Sequence, residues 1–249
     1  MKIKKSTILG IQFWNTTKET ILSHIQKIIR HKGKQSIAFI NADCLNICFD
    51  DEDYKNLLQT HPCLLPDGAG VKIACRILGE QLVENLNGTD LMVPLLKMAN
   101  NNHYSIFLLG AGEPIVKKMK SNLEEQYPSL NICGYHHGYF NKENGSQSVV
   151  DAINEVKPNI LFVAFGAPLQ EKWIAQNQDQ LDANVILGVG GLFDFFSGHR
   201  KRAPLLMRRY NFEWLYRLSL DPLRLWRRYL IGSPFFVFRV LRSRFSNEE

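Results

Sequence analysis

No run of about eighteen apolar residues occurs in the 249-residue chain, so no segment reads as a membrane-spanning helix. There is no C-x-x-C pair and no paired histidine spacing. The five cysteines, Cys44, Cys48, Cys63, Cys75 and Cys133, are odd in number and scattered, which argues against a disulfide frame or a zinc site and fits reduced thiols in a cytosol. The basic opening MKIKKSTILGIQFWN carries an apolar run too short, and too broken by Gly10 and Gln12, to be a signal peptide. No G-x-x-x-x-G-K-[ST] is present, which excludes a P-loop, and no G-x-S-x-G marks a serine nucleophile.

What is present suits a soluble α/β protein. Apolar residues make up 45% and charged residues 22%, enough of the first to bury a sizeable core. The net charge of +6 misleads as an average. Residues 200–249 hold twelve Lys/Arg against four Asp/Glu, whereas residues 1–199 hold eighteen against twenty. The basic character belongs to the tail alone, and the chain is expected to divide into a core over 1–199 and a basic, aromatic-rich helical appendage over 200–249.

Apolar runs alternate with helical patterns in the way a parallel sheet requires. SIAFINA (36–42), YSIFLLGAG (104–112), LNICGYHHGYF (130–140), NILFVAFGAP (159–168) and NVILGVGG (184–191) read as strands with their following loops, and another strand stops before Asp67 in LLPDGAGVKIA. Helices are expected near 43–60, 69–80, 89–102, 113–127, 146–157 and 168–182, with Pro114 in a first turn where its missing N–H is harmless. Residues 2–29 read as a short hairpin or strand and then a helix capped by Thr17. The fold class is therefore α/β, a Rossmann-like, mostly parallel sheet flanked by helices. In such sheets the ligand crevice lies at the C-terminal strand ends, with helix N-termini aimed into it. NAD (41–43), PDGAG (66–70), GAGEP (110–114), GAPLQE (166–171) and GVGGLFD (188–194) all fall there, and their exposed backbone N–H groups suit a ligand that carries phosphate.

Individually these motifs are ambiguous. LLGAGEP begins a dinucleotide fingerprint, but Ile115 stands where the third glycine belongs, and the next strand offers no acidic ribose partner. DDEDY (50–54) contains an Asp-x-Asp that could hold a divalent metal, yet it lies in a helical stretch and reads as a solvated helix face. His136 and His137, between two glycines, suit a loop role as well as a metal or phosphate. Gln170 can donate and accept, which suits a hydroxyl-rich ligand or a uracil edge, while Glu171 suits the dipole of a first helical turn. Asp67 could cap a helix for about 1 kcal/mol or accept a proton from an attacking hydroxyl. Asn41, Asp43, Asn87 and Asp90 lie in comparable loops, too many polar groups for capping alone.

In series, FINADCLN, LPDGAGVKIA, ENLNGTDL, FLLGAG, YPSLNICGYHHGYF, VAFGAPLQEKWI, GVGGLFDFFSG and RAPLLMRRYNFEWLYRL…DPLRLWRR resemble the WecG/TagA/CpsF glycosyltransferases, glycosyltransferase family 26, from about residue 8 to 230. The resemblance implies a bacterial enzyme that moves a sugar, N-acetylmannosamine or a relative, from a UDP-sugar to a polyprenyl-diphosphate-linked saccharide, with inversion and without an Asp-x-Asp-bound metal. It implies Asp67 as general base, and Asn41, Gln170 and Asp194 as substrate-facing residues. Asn85, Asn87, Gly110 and Gly166 complete the candidate substrate-binding set. Phe39 and Asn85 depart from the Thr and Arg of teichoic-acid members, which leaves the sugar open. No cofactor is expected. A UDP- or dinucleotide-binding regulatory or membrane-adaptor protein without turnover is the rival reading.

In the tail, arginines interleave with Trp214, Tyr216, Trp226, Tyr229, Phe235, Phe236 and Phe238. The apolar residues are too many and too bulky for a phosphate-tracking stripe, so nucleic acid is not expected as a partner. An anionic membrane surface is, which places the protein on the cytoplasmic face of the membrane as a peripheral protein. Phe212, Leu215 and Tyr216 have the helical spacing of a core-packed stretch. The resemblance implies that arginines among Arg202, Arg208, Arg209, Arg217, Arg224, Arg227 and Arg228 clamp the acceptor diphosphate, with Arg202, Arg209, Arg217, Arg224 and Arg227 the candidates. A homo-oligomer is left open.

Overall fold

A computed structural model describes residues 3–142, 145–210 and 212–246. The chain opens with a hairpin, β1 (Lys5–Ile8) and β2 (Ile11–Trp14), and then α1 (Lys18–Arg30), where Thr17 Oγ1 accepts the Thr20 N–H as expected of its cap. There follow β3 (Gln35–Ile40), α2 (Ala42–Ile47), α3 (Glu52–Thr60), β4 (Leu64–Pro66), α4 (Ala69–Ile77) and α5 (Gly88–Asn102). The alternation continues through β5 (Ser105–Gly110), α6 (Glu113–Gln126), β6 (Asn131–His136), α7 (Ser146–Val156), β7 (Ile160–Ala164), α8 (Leu169–Asn177), β8 (Val185–Gly188) and α9 (Leu192–Phe196). The tail forms α10 (Leu205–Arg209), α11 (Glu213–Leu220), α12 (Pro222–Trp226), a π-helical segment Arg227–Gly232, and α13 (Ser233–Ser246).

Strands β3 to β8 build one parallel sheet in the order β4-β3-β8-β7-β5-β6. Both faces are covered, so the inner strands are nearly continuously apolar, and successive residues serve opposite layers, whereas the edge strand β6 (NICGYH) is only partly buried. Ile37 and Phe39 join the layer of α1, α5 and α6, while Ala38 and Ile40 join that of the hairpin, α2 and α4. The expected helix over 43–60 is two helices. Asp51 takes an extended conformation and its carboxylate accepts the Tyr54 N–H at 2.9 Å, which starts α3 afresh. That cap and an ion pair from Lys172 at 2.6 Å occupy the one Asp of the acidic run that turns inward.

The tail is partly core. Phe236 and Val240 of α13 are buried against the hairpin, α2 and α4. The stretch read from its spacing as core-packed is the exposed one: Phe212 and Leu215 face outward, which corrects that expectation. Helix α11 instead turns Glu213, Trp214 and Arg217 inward, each of them half-buried. No helix among the described residues is long and apolar enough to cross a membrane.

Candidate active site

From the C-terminal ends of the adjacent strands β3 and β8 the chain leaves toward opposite layers, into α2 on one side and α9 on the other. Such divergence opens a crevice. Here it is a cavity of about 1090 Å³, floored by the ends of β4, β3 and β8 and the turn after β7, and walled by the tail. That volume exceeds what one drug-sized ligand fills and can admit two substrates.

Asp67 sits on the floor. Its N–H donates to Ile40 O at 2.8 Å, continuing the sheet by one rung, and the chain then turns at Gly68, whose φ of +91° favours glycine. Asn85 Oδ1 accepts the Gly68 N–H at 2.8 Å and pins the turn. Gly70 is needed for another reason: a Cβ there would lie 2.8 Å from Ala42 Cβ, so its absence lets α4 start against α2. Helix α4 has Gly68 as its N-cap, without a side-chain cap bond. Asp67 is therefore not the cap, and its carboxylate has no hydrogen bond or ion pair among the described residues. Burial pushes its pKa up to about 6; the charges of Arg217 and Arg228 pull against that rise, and Glu213 and Asp90 add to it.

Other candidates fall around this floor. Asn41 caps α2, its Oδ1 accepting from Asp43 and Cys44 N–H, which leaves its amide NH₂ for the cavity. Asn87 caps α5 and also binds the Asp90 carboxylate at 2.6 Å. Asp194 pairs with Arg200 at 3.4 Å. Gln170 lines the cavity but is only 5% exposed, and its amide is mostly spent within the protein. Oε1 accepts from Gly166 N–H at 3.2 Å and Gly190 N–H at 2.8 Å, and Nε2 donates to Glu171 at 2.7 Å. Gln170 thus ties the turn after β7 to the turn after β8, and has one N–H left for a ligand. Gly110 lies outside the lining. Its glycine is explained by packing, since a Cβ there would meet Ala164 O at 2.5 Å. Its place among the substrate-binding residues is corrected accordingly.

Every cation of the cavity wall comes from the tail, and all the carboxylates except Glu213 come from the core. Arg202 binds Asp90 at 2.6 Å, Arg217 binds Glu213 at 2.8 Å, Arg224 binds Asp221 at 2.7 Å, and Arg228 approaches Asp43 at 3.4 Å. Burial raises the Asp90 carboxyl, but hydrogen bonds from Arg202 and Asn87 outweigh it and hold the group below its ordinary value. These pairs do not exhaust the donors: Nε of Arg202, Arg208 and Arg217 is buried in each case without a hydrogen-bond partner. Arginines gathered on one cavity wall, with donors in excess of the acceptors the protein supplies, suit an anionic ligand.

Of the tail candidates, Arg202, Arg209, Arg217 and Arg224 line the cavity. Arg227 does not; it is exposed and stacks on Trp226, and Arg228 takes the cavity position instead. The signal for this was spacing, because Arg224 and Arg228 are four apart and share a helix face. Arg208 and Arg200 also line the cavity, and a run of basic residues does not by itself reveal which of them turns inward.

The model of the family described as "Glycosyl transferase WecG/TagA/CpsF family" matches residues 6–249. A protein of Staphylococcus aureus (strain NCTC 8325 / PS 47), named N-acetylglucosaminyldiphosphoundecaprenol N-acetyl-beta-D-mannosaminyltransferase, is 33% identical over 242 residues, which cover 96% of this chain and 93% of the relative. The protein of that name from strain MRSA252 is 32% identical over the same length. With a family match over nearly the whole chain, and relatives aligned along almost their full length, the chain belongs to the WecG/TagA/CpsF family of glycosyl transferases.

Proposed function

We propose that the chain transfers N-acetylmannosamine, or a closely related hexose derivative, from a UDP-sugar to a polyprenyl-diphosphate-linked saccharide, inverting the anomeric centre, in bacterial cell-surface polysaccharide synthesis. The acceptor and sugar follow the names of the relatives. The observation that carries the reading is the pairing, in one cavity, of an unpartnered carboxylate with unfilled guanidinium donors: Asp67 on the floor, and Arg202, Arg208 and Arg217 on the wall. A carboxyl with a pKa of about 6 is mostly ionised at neutral pH and a stronger base than an ordinary one. It takes the proton of the acceptor hydroxyl as that oxygen bonds to the anomeric carbon from the face opposite UDP. The bond from that carbon to the UDP oxygen breaks, and UDP leaves with the electron pair. The N-terminal turn of α4 and the tail arginines offset the charge that develops on the departing UDP and hold the acceptor's diphosphate, whose charge does not change.

The tail, residues 200–249, acts in this reading as a membrane-associating appendage that brings a lipid-borne acceptor to the cavity. Its outer surface presents Leu223, Leu230, Phe238 and Phe245, each more than half exposed and outside the cavity lining, among arginines. That pattern suits the interface of an anionic membrane on its cytoplasmic face. The experiment is incubation of the purified chain with UDP-N-acetylmannosamine and polyprenyl-diphosphate-linked N-acetylglucosamine. Formation of UDP and a disaccharide-lipid in equal amounts supports the reading. Binding of UDP with no turnover on a panel of UDP-sugars and lipid acceptors would favour a regulatory or adaptor role.

A further inference from the structure

Behind the cavity floor, α2, α3 and α8 enclose a polar cluster that the proposed chemistry does not use. Glu171, on α8, is 2% exposed. Its Oε1 accepts from Gln170 Nε2 at 2.7 Å, while Oε2 is buried with no hydrogen-bond partner. Tyr54 and Cys44 stand beside it, and the Tyr54 hydroxyl is also buried and unpartnered. Among the described residues no cation forms an ion pair with the carboxylate. Burial raises the Glu171 pKa, against the smaller lowering effects of the Gln170 N–H, its own backbone and the nearby Tyr54 hydroxyl, which stands beside the carboxylate without meeting hydrogen-bond geometry. A lone glutamate at an exposed helix start would need no such enclosure.

We propose that Glu171 is a positioning residue for glycosyl transfer: it clamps the far side of the Gln170 amide, so that the near side holds the Gly166 and Gly190 N–H groups and fixes the turns after β7 and β8 as opposite lips of the cavity. The proposal rests on the transfer reading above. The geometry behind it is a continuous chain of bonds from Glu171 Oε1 through the Gln170 amide to two glycine backbones that share no bond with each other. The residues around Gln170 leave little slack. A Cβ at Gly188 would already lie 3.1 Å from Nε2. If Glu171 loses its acceptor, a buried N–H is stranded, and the amide relieves this by rotating away from the glycines. Glutamine at 171 still offers a carbonyl oxygen; leucine offers none.

The test uses the full-length protein and four variants: E171Q, E171L, Q170A and the double Q170A/E171L. Transfer kinetics are measured together with amide hydrogen exchange at Gly166 and Gly190. E171L should lower kcat/KM roughly ten- to a hundredfold, the scale of misplacing groups at a reacting centre by about 1 Å. Exchange at both glycines should accelerate in E171L, whereas E171Q should restore both readouts to near wild type. The double variant should lose no more than Q170A alone, because Glu171 acts only through Gln170. Wild-type kinetics or unchanged exchange in E171L would overturn the proposal, as would losses that multiply in the double variant. Should E171L fail to fold, E171M fills similar volume without an acceptor and takes its place. A wild-type protein that transfers nothing refutes the transfer reading instead, a result the exchange measurements cannot produce.

Discussion

Asp67→Asn should make the protein more stable and inactive at once. The folded-state value of about 6 lies above the ordinary 3.8, so the folded protein binds that proton more tightly than the unfolded chain does. Below about pH 4 the carboxyl is neutral in both states and adds no penalty. Between about pH 4 and 6 the unfolded chain releases the proton while the folded protein keeps it, so stability falls, and the loss is complete once the pH has risen through 6 and the folded carboxyl carries its charge. The gap corresponds to at most roughly 3 kcal/mol at pH 7. Asp67 is walled by protein but keeps part of its surface open to the cavity, where water screens it, so about 1.5 kcal/mol is the better expectation. Asparagine is nearly isosteric and never ionises. The variant should melt about 3–6 °C higher than wild type at pH 7 to 8 and at the same temperature near pH 4, given the unfolding entropy of a chain this size. Turnover should fall by roughly 10² to 10⁴ with UDP affinity retained. The assay is a pair of thermal melts across pH, with transfer rates at pH 7. A variant less stable than wild type at pH 7 would refute the argument from burial, and near-normal turnover would refute the role as base.

Four further outcomes follow from the same geometry. Chelator should leave the transfer rate unchanged, because Asp51 of the acidic run is held by Lys172 and the Tyr54 N–H; activity restored by Mg²⁺ after chelation would reverse this. Phe236→Ala should cost about 3 kcal/mol or more in denaturant unfolding, since that ring is 1% exposed and packs in the core. Leu223→Glu combined with Leu230→Glu, at 91% and 56% exposure, should leave the melting temperature nearly unchanged while abolishing co-sedimentation with anionic vesicles; unchanged co-sedimentation would count against membrane association. Arg228→Ala should raise the KM for the lipid acceptor by about tenfold, the scale of one charge-assisted hydrogen bond, whereas Arg227→Ala should not.

Much of this arrangement was legible in the sequence because strand ends announce themselves. Apolar runs that stop at Asn41, Asp67, Gly166 and Gly190 locate the crevice before any coordinate is known, and the order of those motifs carries the family resemblance. What escaped was long-range. Nothing local to Gly110 separates a glycine kept for a ligand from one kept for contact with Ala164. The acidic run looked like one helix with its neighbours until the cap at Asp51 divided it. Spacing alone favoured Phe212, Leu215 and Tyr216 as core in the tail, yet Phe236 and Val240 take that place. A helix with two apolar faces does not say which of them meets protein and which meets a membrane. Gln170 looked poised for a ligand, and its double tie to two distant turns is visible only once β7 and β8 lie side by side.

The central claim is that Asp67 and the tail arginines act on one transfer reaction, and product analysis with intact lipid substrates tests it most directly. The chain is incubated with UDP-N-acetylmannosamine and polyprenyl-diphosphate-linked N-acetylglucosamine, and the anomeric configuration of the new linkage is read by NMR. One UDP should be released per disaccharide-lipid formed, with the new bond inverted relative to the donor, and Asp67→Asn should yield almost none. A retained configuration, UDP release without a lipid product, or full product from the Asp67→Asn protein would contradict it.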